Sequence, residues 1–411
     1  MQTNAINAFD ILKERGFIAQ STHEDEIREL LGKEQVTFYM GYDPTADSLT
    51  AGHLLTLMAH AHLQKAGHRL ITLMGTGTGM IGDPSDRSDM RKVLTKDDVY
   101  HNIQCFKEQI ARFVDYNDGK AVMLENDWLL DLHLVSFMRD YGVHFSVNRM
   151  LTAECYKSRL ADGLTAFEFT YMLMQAYDFL KLYREYNCKL QLGGSDQWSN
   201  VIAGVDLVRK VENAQVYGFT LNLLTTGDGA KMGKTSKGAI WLDAKKTSPY
   251  DFYQYWRNTE DSIIIRNLKL LTFLSMEEIN EMAKWEGSDL NKAKEILAYE
   301  VTKIVHGEVE ATKAKEAAHA LFAGGGDLES MPCLDIPRDE VLQGLNILVV
   351  MKNMGLIPNN SEGRRLITQG GVKLNDNKID THEFTITEEH FNDGYILIQK
   401  GKKVYYRGKL V

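Results

Sequence analysis

Short β-rich segments alternate with helical runs through the first half of this chain, and that alternation restricts the fold more than any other feature. Residues 36–39 are β-rich and end at Gly41. Between Ala51 and Lys65, the apolar residues Leu54, Leu55, Met58 and Ala61 recur at helical spacing. The run RLITLM, residues 69–74, predicts a buried strand leading into Gly75-Thr-Gly-Thr-Gly-Met-Ile-Gly82. The pattern then predicts a helix over 96–113, a strand over 121–124, a helix over 167–183, a strand over 189–192 and a helix over 196–211. Alternation of this kind implies a parallel sheet covered by helices on both faces. Ligands of such sheets sit in loops at the carboxyl ends of the strands. Pro44 and Pro84 each lie just past a predicted strand end, which agrees with loops there.

Composition narrows the possibilities. The chain has 411 residues, 44% hydrophobic and 25% charged, enough for two to four domains, each with a full core. No run reaches about 18 uninterrupted apolar residues, so no membrane span is expected. The first ten residues lack a basic region followed by an apolar one, so no secretory signal is expected. Cys105, Cys155, Cys188 and Cys333 are widely spaced and form no zinc motif. They fit a reducing compartment, hence a cytoplasmic protein. The net charge of −9 argues against a surface that coats nucleic acid, but not against a local basic module.

Such a module is predicted at the C-terminus. Residues 248–322 read as a helical block, and 324–344, opening on Gly324-Gly-Gly-Asp, read as a linker. From 345 to 411 there are ten Lys and Arg against seven Asp and Glu, a surplus on an otherwise acidic chain. A basic appendage on an acidic body is expected to bind nucleic acid.

Three segments carry candidate chemistry. Gly77-Thr-Gly-Met-Ile-Gly82 matches GxGxxG, but Asp83-Pro84-Ser85 follows, so a loop is expected rather than the helix of a dinucleotide site. In Tyr39-Met-Gly-Tyr-Asp-Pro-Thr-Ala-Asp-Ser-Leu-Thr-Ala-Gly-His53, a strand end and a Gly-Pro loop bring Gly52 and His53 to a helix start, where backbone N–H groups suit phosphate. Lys231-Met-Gly-Lys-Thr-Ser-Lys237 places three lysines in a glycine-flanked loop, able to neutralise a triphosphate.

A TxGH segment after the first strand and a KMGKT loop late in the same α/β domain resemble the two signatures of class I aminoacyl-tRNA synthetases. Ile81-Gly-Asp-Pro-Ser85, Phe169-Thr-Tyr-Met-Leu-Met-Gln-Ala-Tyr-Asp178 and Gln191-Leu-Gly-Gly-Ser-Asp-Gln-Trp198 are more specific. Together they resemble the bacterial-type tyrosyl-tRNA synthetases. Ser361-Glu-Gly-Arg-Arg-Leu-Ile-Thr-Gln-Gly-Gly-Val372 resembles the S4 RNA-binding fold that ends that family.

The resemblance implies a Rossmann-like catalytic domain over 1–225 and a KMSKS loop with a helical anticodon-binding domain over 226–323. The linker and an S4-like RNA-binding domain over 345–411 complete it. It implies tyrosine, ATP with Mg²⁺, and tRNA(Tyr) as partners, no protein cage for the metal, and a homodimer joined around residues 120–160. It implies that Tyr171 and Gln175, with Asp83, hold the substrate ammonium. Asp178 and Tyr39 would meet the phenolic hydroxyl, and Gln197 the carboxyl. Gly41 and Asp43 would border the tyrosine site, while Gly194, Asp196, Gly52 and His53 would bind ATP. Thr45, His53, Lys231, Lys234 and Thr235 would act on the phosphates. Arg87 and Arg91 would hold pyrophosphate or the tRNA end, and Arg364, Arg365 and Lys373 would contact tRNA. The spacing of Tyr171, Gln175 and Asp178 puts them on one helix face.

Thr50 departs from the family pattern, which has His there. It is either a donor to phosphate or a cap for the helix that follows. Three other classes remain: a smaller nucleotidylyltransferase, a non-catalytic RNA-binding protein and a dinucleotide oxidoreductase. The C-terminal module, the lysine loop with its polar pocket, and Pro84 argue against them in turn.

Overall fold

The computed structural model describes residues 7–85, 94–235, 238–323, 333–401 and 404–411. Arg87 and Arg91 lie outside these residues, as do 324–332 of the predicted linker. The chain divides into two compact units. One holds the described residues up to Thr235 with 239–246 and 258–297, and the other holds 247–257 and those from 298 to 411.

The first unit is built on a six-stranded sheet. Its strands are β1 (Ile18–Ser21), β2 (Thr37–Tyr42), β3 (Arg69–Met74), β4 (Ala121–Glu125), β5 (Cys188–Gly194) and β6 (Tyr217–Leu221). They run in the order β1-β6-β5-β2-β3-β4. Five strands are parallel, and β1 pairs antiparallel with β6. The sheet is therefore mixed at one edge, where a wholly parallel one was expected. β1 is short and lacks a continuous apolar run because it is only partly buried. β3, by contrast, is buried at five of six positions, which is why its apolar run is unbroken.

The strand order reverses between β2 and β5, so the loops after these strands splay apart and leave a crevice. Helices Leu54–Lys65, Lys96–Ile110, Tyr171–Tyr186 and Trp198–Glu212 flank the sheet. The predicted helix over 167–183 is two pieces, Ala166–Phe169 and Tyr171–Tyr186. The glycine-rich segment is also helical, over Thr76–Ile81, where a loop was expected; it stops at Gly82, whose φ is 82°. Pro84 lies beyond that stop, so it never had to fit inside the helix.

The second unit contains helices Pro249–Arg257 and Glu308–Ala323 and a five-stranded C-terminal sheet. Strand Cys333–Ile336 pairs parallel with Val404–Leu410. Residues 333–336, read as linker, therefore belong to a sheet: Ile336 is buried in the core that Ile347, Met351, Ile386 and Ile398 form. Arg364 and Arg365, on helix Asn360–Thr368, and Lys373, on strand Val372–Leu374, are all exposed. No helix among the described residues is long and apolar enough to cross a membrane.

Candidate functional site

A cavity of about 530 Å³ opens at the carboxyl ends of β2, β3 and β5. Tyr39, Gly41, Asp43, Thr45, Gly52, His53, Asp83, Tyr171, Gln175, Asp178, Gly194, Asp196, Gln197 and Lys231 all line it. Lys234 and Thr235 lie on the same loop, but their side chains are outside the described set. Arg364, Arg365 and Lys373 belong to the other unit.

One end of the cavity is deeply buried. Asp178 is 2% exposed. Its two carboxylate oxygens accept from Trp128 Nε1 at 2.7 Å and Asn126 Nδ2 at 2.9 Å. Burial pushes its pKa up to about 7, the two donors oppose that rise, and Asp43 adds to it. The Tyr39 hydroxyl is buried beside it without a partner, as is Gln175 Oε1. Unpartnered buried polar atoms are costly, so these two await a polar ligand. Asn126 and Trp128 are absent from the sequence-based set. Both follow β4, and the rule that ligands gather beyond strand ends pointed there.

Next along the cavity, Asp43 accepts from Thr78 Oγ1 at 2.8 Å and from the Tyr171 hydroxyl at 2.9 Å. Asp43 thus holds the Tyr171 hydroxyl in place. Asp83 accepts from the Ser85 N–H at 2.8 Å and from the Gln197 amide. Burial raises its pKa, against the pull of those hydrogen bonds. Gln197 also accepts from Asn200 at 3.1 Å. It buttresses Asp83 as well as facing the cavity, a bond its sequence assignment did not include.

The open end joins the two signature segments. A Cβ on Gly233 would lie 2.9 Å from the Gly52 nitrogen, and Gly233 itself has φ 89°. Only glycine allows both the close approach and that backbone. The Ala51 and Leu242 N–H groups bond to Ile240 and Leu49 carbonyls at 2.8 and 2.9 Å, clamping the helix start to the lysine loop. Lys231 Nζ stands 3.7 Å from the Asp196 carboxylate.

The Thr50 N–H donates to His53 Nδ1 at 3.0 Å, and the Thr50 hydroxyl lies 3.1 Å from the same nitrogen. A backbone nitrogen cannot accept, so Nδ1 carries no proton and Nε2 does. Desolvation, helped by Lys231, lowers the His53 pKa to about 4. The ring is therefore a neutral N–H donor near neutral pH. Thr50 occupies the cap position with its hydroxyl turned to this ring. We expect Thr50→Ala to slow activation by up to about tenfold, the worth of one hydrogen bond, with little loss of stability. Rapid-quench rates beside melting curves check this. An unchanged rate with about 1 kcal/mol less stability would leave Thr50 its capping role alone.

The glycine-rich segment serves close packing. A Cβ on Gly75 would lie 2.3 Å from Asp43 Oδ1, and one on Gly77 would lie 2.7 Å from Leu129 Cβ. Among the described residues, no group of three or more His, Cys, Asp or Glu is placed to hold a metal ion.

The sequence model of the class I tRNA synthetases (W and Y) matches residues 32–323, and that of the tyrosine–tRNA ligase SYY-like C-terminal domain matches 327–407. Tyrosine–tRNA ligase of Acetivibrio thermocellus is 57% identical over 98% of this chain and 100% of its own length. That of Caldanaerobacter subterraneus subsp. tengcongensis is 56% identical over 98% and 99%. A C-terminally truncated mitochondrial tyrosyl-tRNA synthetase of Aspergillus nidulans superposes with a TM-score of 0.69 at 29% identity, covering 77% of this chain and 94% of that one. With both family models matched in order and such identity along nearly its whole length, the chain belongs to the class I tRNA synthetases and, among them, to the tyrosine–tRNA ligases.

Proposed function

We propose that the cavity beyond β2, β3 and β5 is where this tyrosine–tRNA ligase activates L-tyrosine with ATP and then loads tRNA(Tyr). The observation that carries the reading is the buried end, where the Asp178 carboxylate and an unpartnered Tyr39 hydroxyl lie together. A phenol satisfies both: it donates its one proton to Asp178 and accepts from the Tyr39 hydroxyl. The substrate ammonium then meets Tyr171, Gln175 and Asp83, with Asp43 behind Tyr171. Gln197 faces the carboxylate.

That carboxylate is already a nucleophile. One of its oxygens attacks the α-phosphorus of ATP in line, the bond to the bridging oxygen breaks, and pyrophosphate leaves with the electron pair. No proton must move, so the protein contributes position and charge. Gly52 and the His53 Nε2–H, with Thr45 and Lys231, face the phosphates, and Lys234 and Thr235 of the same loop supply further donors to them. Gly194 and Asp196 face the ribose. Mg²⁺ enters with ATP as part of the substrate. In the second step the terminal ribose hydroxyl of tRNA attacks the tyrosyl carbonyl carbon, and AMP departs.

The exposed Arg364, Arg365 and Lys373 suit RNA phosphates in the basic C-terminal unit. Leu134, Val135, Val143 and Val147 are 73, 81, 68 and 55% exposed. Apolar exposure concentrated in one segment supports a homodimer interface there. The charge balance and cysteine usage suit the cytoplasm.

ATP–pyrophosphate exchange with each of the twenty amino acids tests the reading. Tyrosine alone should support rapid exchange. Exchange driven best by another amino acid would overturn it.

A further inference from the structure

We propose that the Thr78 hydroxyl is a positioning group that ties the phenol end of the tyrosine pocket to its ammonium end. The inference deepens the pocket reading above and rests on it.

The connection can be followed atom by atom. Asn126 Oδ1 accepts from the Gly77 N–H at 2.8 Å and from Thr76 Oγ1 at 3.1 Å. Two donors on that oxygen fix which way the amide faces. Its nitrogen therefore points the other way, giving one hydrogen to Asp178 at 2.9 Å and one to Thr78 Oγ1 at 3.2 Å. Thr78 has a single hydroxyl proton, and it goes to Asp43 Oδ1 at 2.8 Å. The other Asp43 oxygen accepts from the Tyr171 hydroxyl at 2.9 Å. The order is Asp178, Asn126, Thr78, Asp43, Tyr171, and every donor in it meets an acceptor.

Thr78 is the link that cannot be reversed. It accepts from a neutral amide and donates to a carboxylate, so it passes position between two acidic groups that repel each other. Charge repulsion from Asp43 adds to the rise in the proton affinity of Asp178 that burial causes. Thr78, Asn126 and Asp178 are 4, 1 and 2% exposed, so bulk water screens the link little. The glycine-rich turn supplies the geometry. A Cβ on Gly75 would sit 2.4 Å from Thr78 Oγ1 and 2.3 Å from Asp43 Oδ1. The Thr78–Asp43 bond occupies the space a side chain would need, and Gly77 orients Asn126. A motif that reads as a phosphate cradle thus builds an amino-acid gauge.

Thr78→Val keeps the shape and removes the hydroxyl. In ATP–pyrophosphate exchange it should raise KM for tyrosine about tenfold and lower the tyrosine-to-phenylalanine ratio of kcat/KM at least tenfold. Thr78→Ser should restore most of both. A raised KM with an unchanged ratio would overturn the inference, as would no effect at all. Asp178→Asn, assayed alongside, separates the failures. If it too leaves the ratio unchanged, the pocket reading is wrong; if it collapses the ratio while Thr78→Val does not, only the link is wrong. A cycle on the unaltered protein covers a variant that does not fold. Inhibition constants of phenylalanine, 3-(4-hydroxyphenyl)propionate and 3-phenylpropionate, set against the tyrosine dissociation constant, give the losses for either end and for both. Linked ends give losses that differ from additivity by several-fold, and strictly additive losses would overturn the link.

Discussion

Asp178→Asn is expected to lower kcat/KM for tyrosine activation by about 10²-fold while leaving phenylalanine nearly unaffected. A hydrogen bond to a charged group is worth about 1.5–3 kcal/mol, and phenylalanine offers no hydroxyl to lose it. The intact protein should discriminate by roughly 10⁵-fold without editing, a value for which tyrosyl-tRNA synthetases are themselves the reference case. The substitution also disturbs the support behind the carboxylate. Trp128 and Asn126 each donate to one oxygen of Asp178, whereas an amide offers one oxygen, so one donor loses its partner. A tyrosine-to-phenylalanine ratio unchanged in pyrophosphate exchange would remove Asp178 from the phenol site. The same variant has a pH signature. Burial raises the folded-state pKa of Asp178 to about 7, above its unfolded value near ~4. The stability this contributes is fully present below pH ~4 and lost as pH rises through ~7. The melting temperature of ligand-free wild type should therefore fall relative to Asp178→Asn across that window. Parallel curves would mean that Asp178 ionises normally.

Much of this pocket was legible because its parts lie at strand ends. The apolar run at 69–74 coincides with β3, since a strand buried on both faces needs apolar residues at nearly every position. β6 was harder to see. Its Gly218 reads as a breaker, yet a Cβ there would lie 2.3 Å from Val201 Cγ1, so glycine is demanded by helix-to-strand packing. Tyr171, Gln175 and Asp178 share a helix face, and their spacing shows it. Asn126, Trp128 and Thr78 do not touch one another in any sequence pattern. Their bonds to Asp178 and Asp43 span 52, 50 and 35 residues, and only the assembled fold brings them together. Thr50 illustrates a different limit. Sequence offered a cap or a phosphate donor; Thr50 does sit at the cap, and its N–H and hydroxyl meet the ring of His53, three residues on, in a capping box.

Ending the chain after Ala323 should leave tyrosyl-adenylate formation within about threefold of the full-length rate and lower kcat/KM for tRNA charging by at least about 10²-fold. The first half of that expectation follows from where the pocket is. Every residue lining it belongs to the first unit, and the truncation removes none of them. The second half follows from charge. Removing residues 324–411 takes away exposed Arg364, Arg365 and Lys373 and the C-terminal basic surplus. Neutralising phosphates releases condensed counterions, and a few lost contacts cost orders of magnitude in affinity at low salt. Full-length protein should therefore lose tRNA affinity steeply with added salt, and the truncated form should show a shallower slope. The position of the cut matters. Ending near residue 340, at the far side of the stretch read as linker, would keep Cys333–Ile336 but remove its partner Val404–Leu410. That leaves an unpaired edge strand, an invitation to aggregate. Cutting after Ala323 avoids it, although the bond from the Tyr406 hydroxyl to Asp251 is lost. Charging that survives this truncation at full efficiency would place the tRNA contacts elsewhere. Loss of adenylate formation from a folded truncated protein would show instead that residues 324–411 take part in the chemistry.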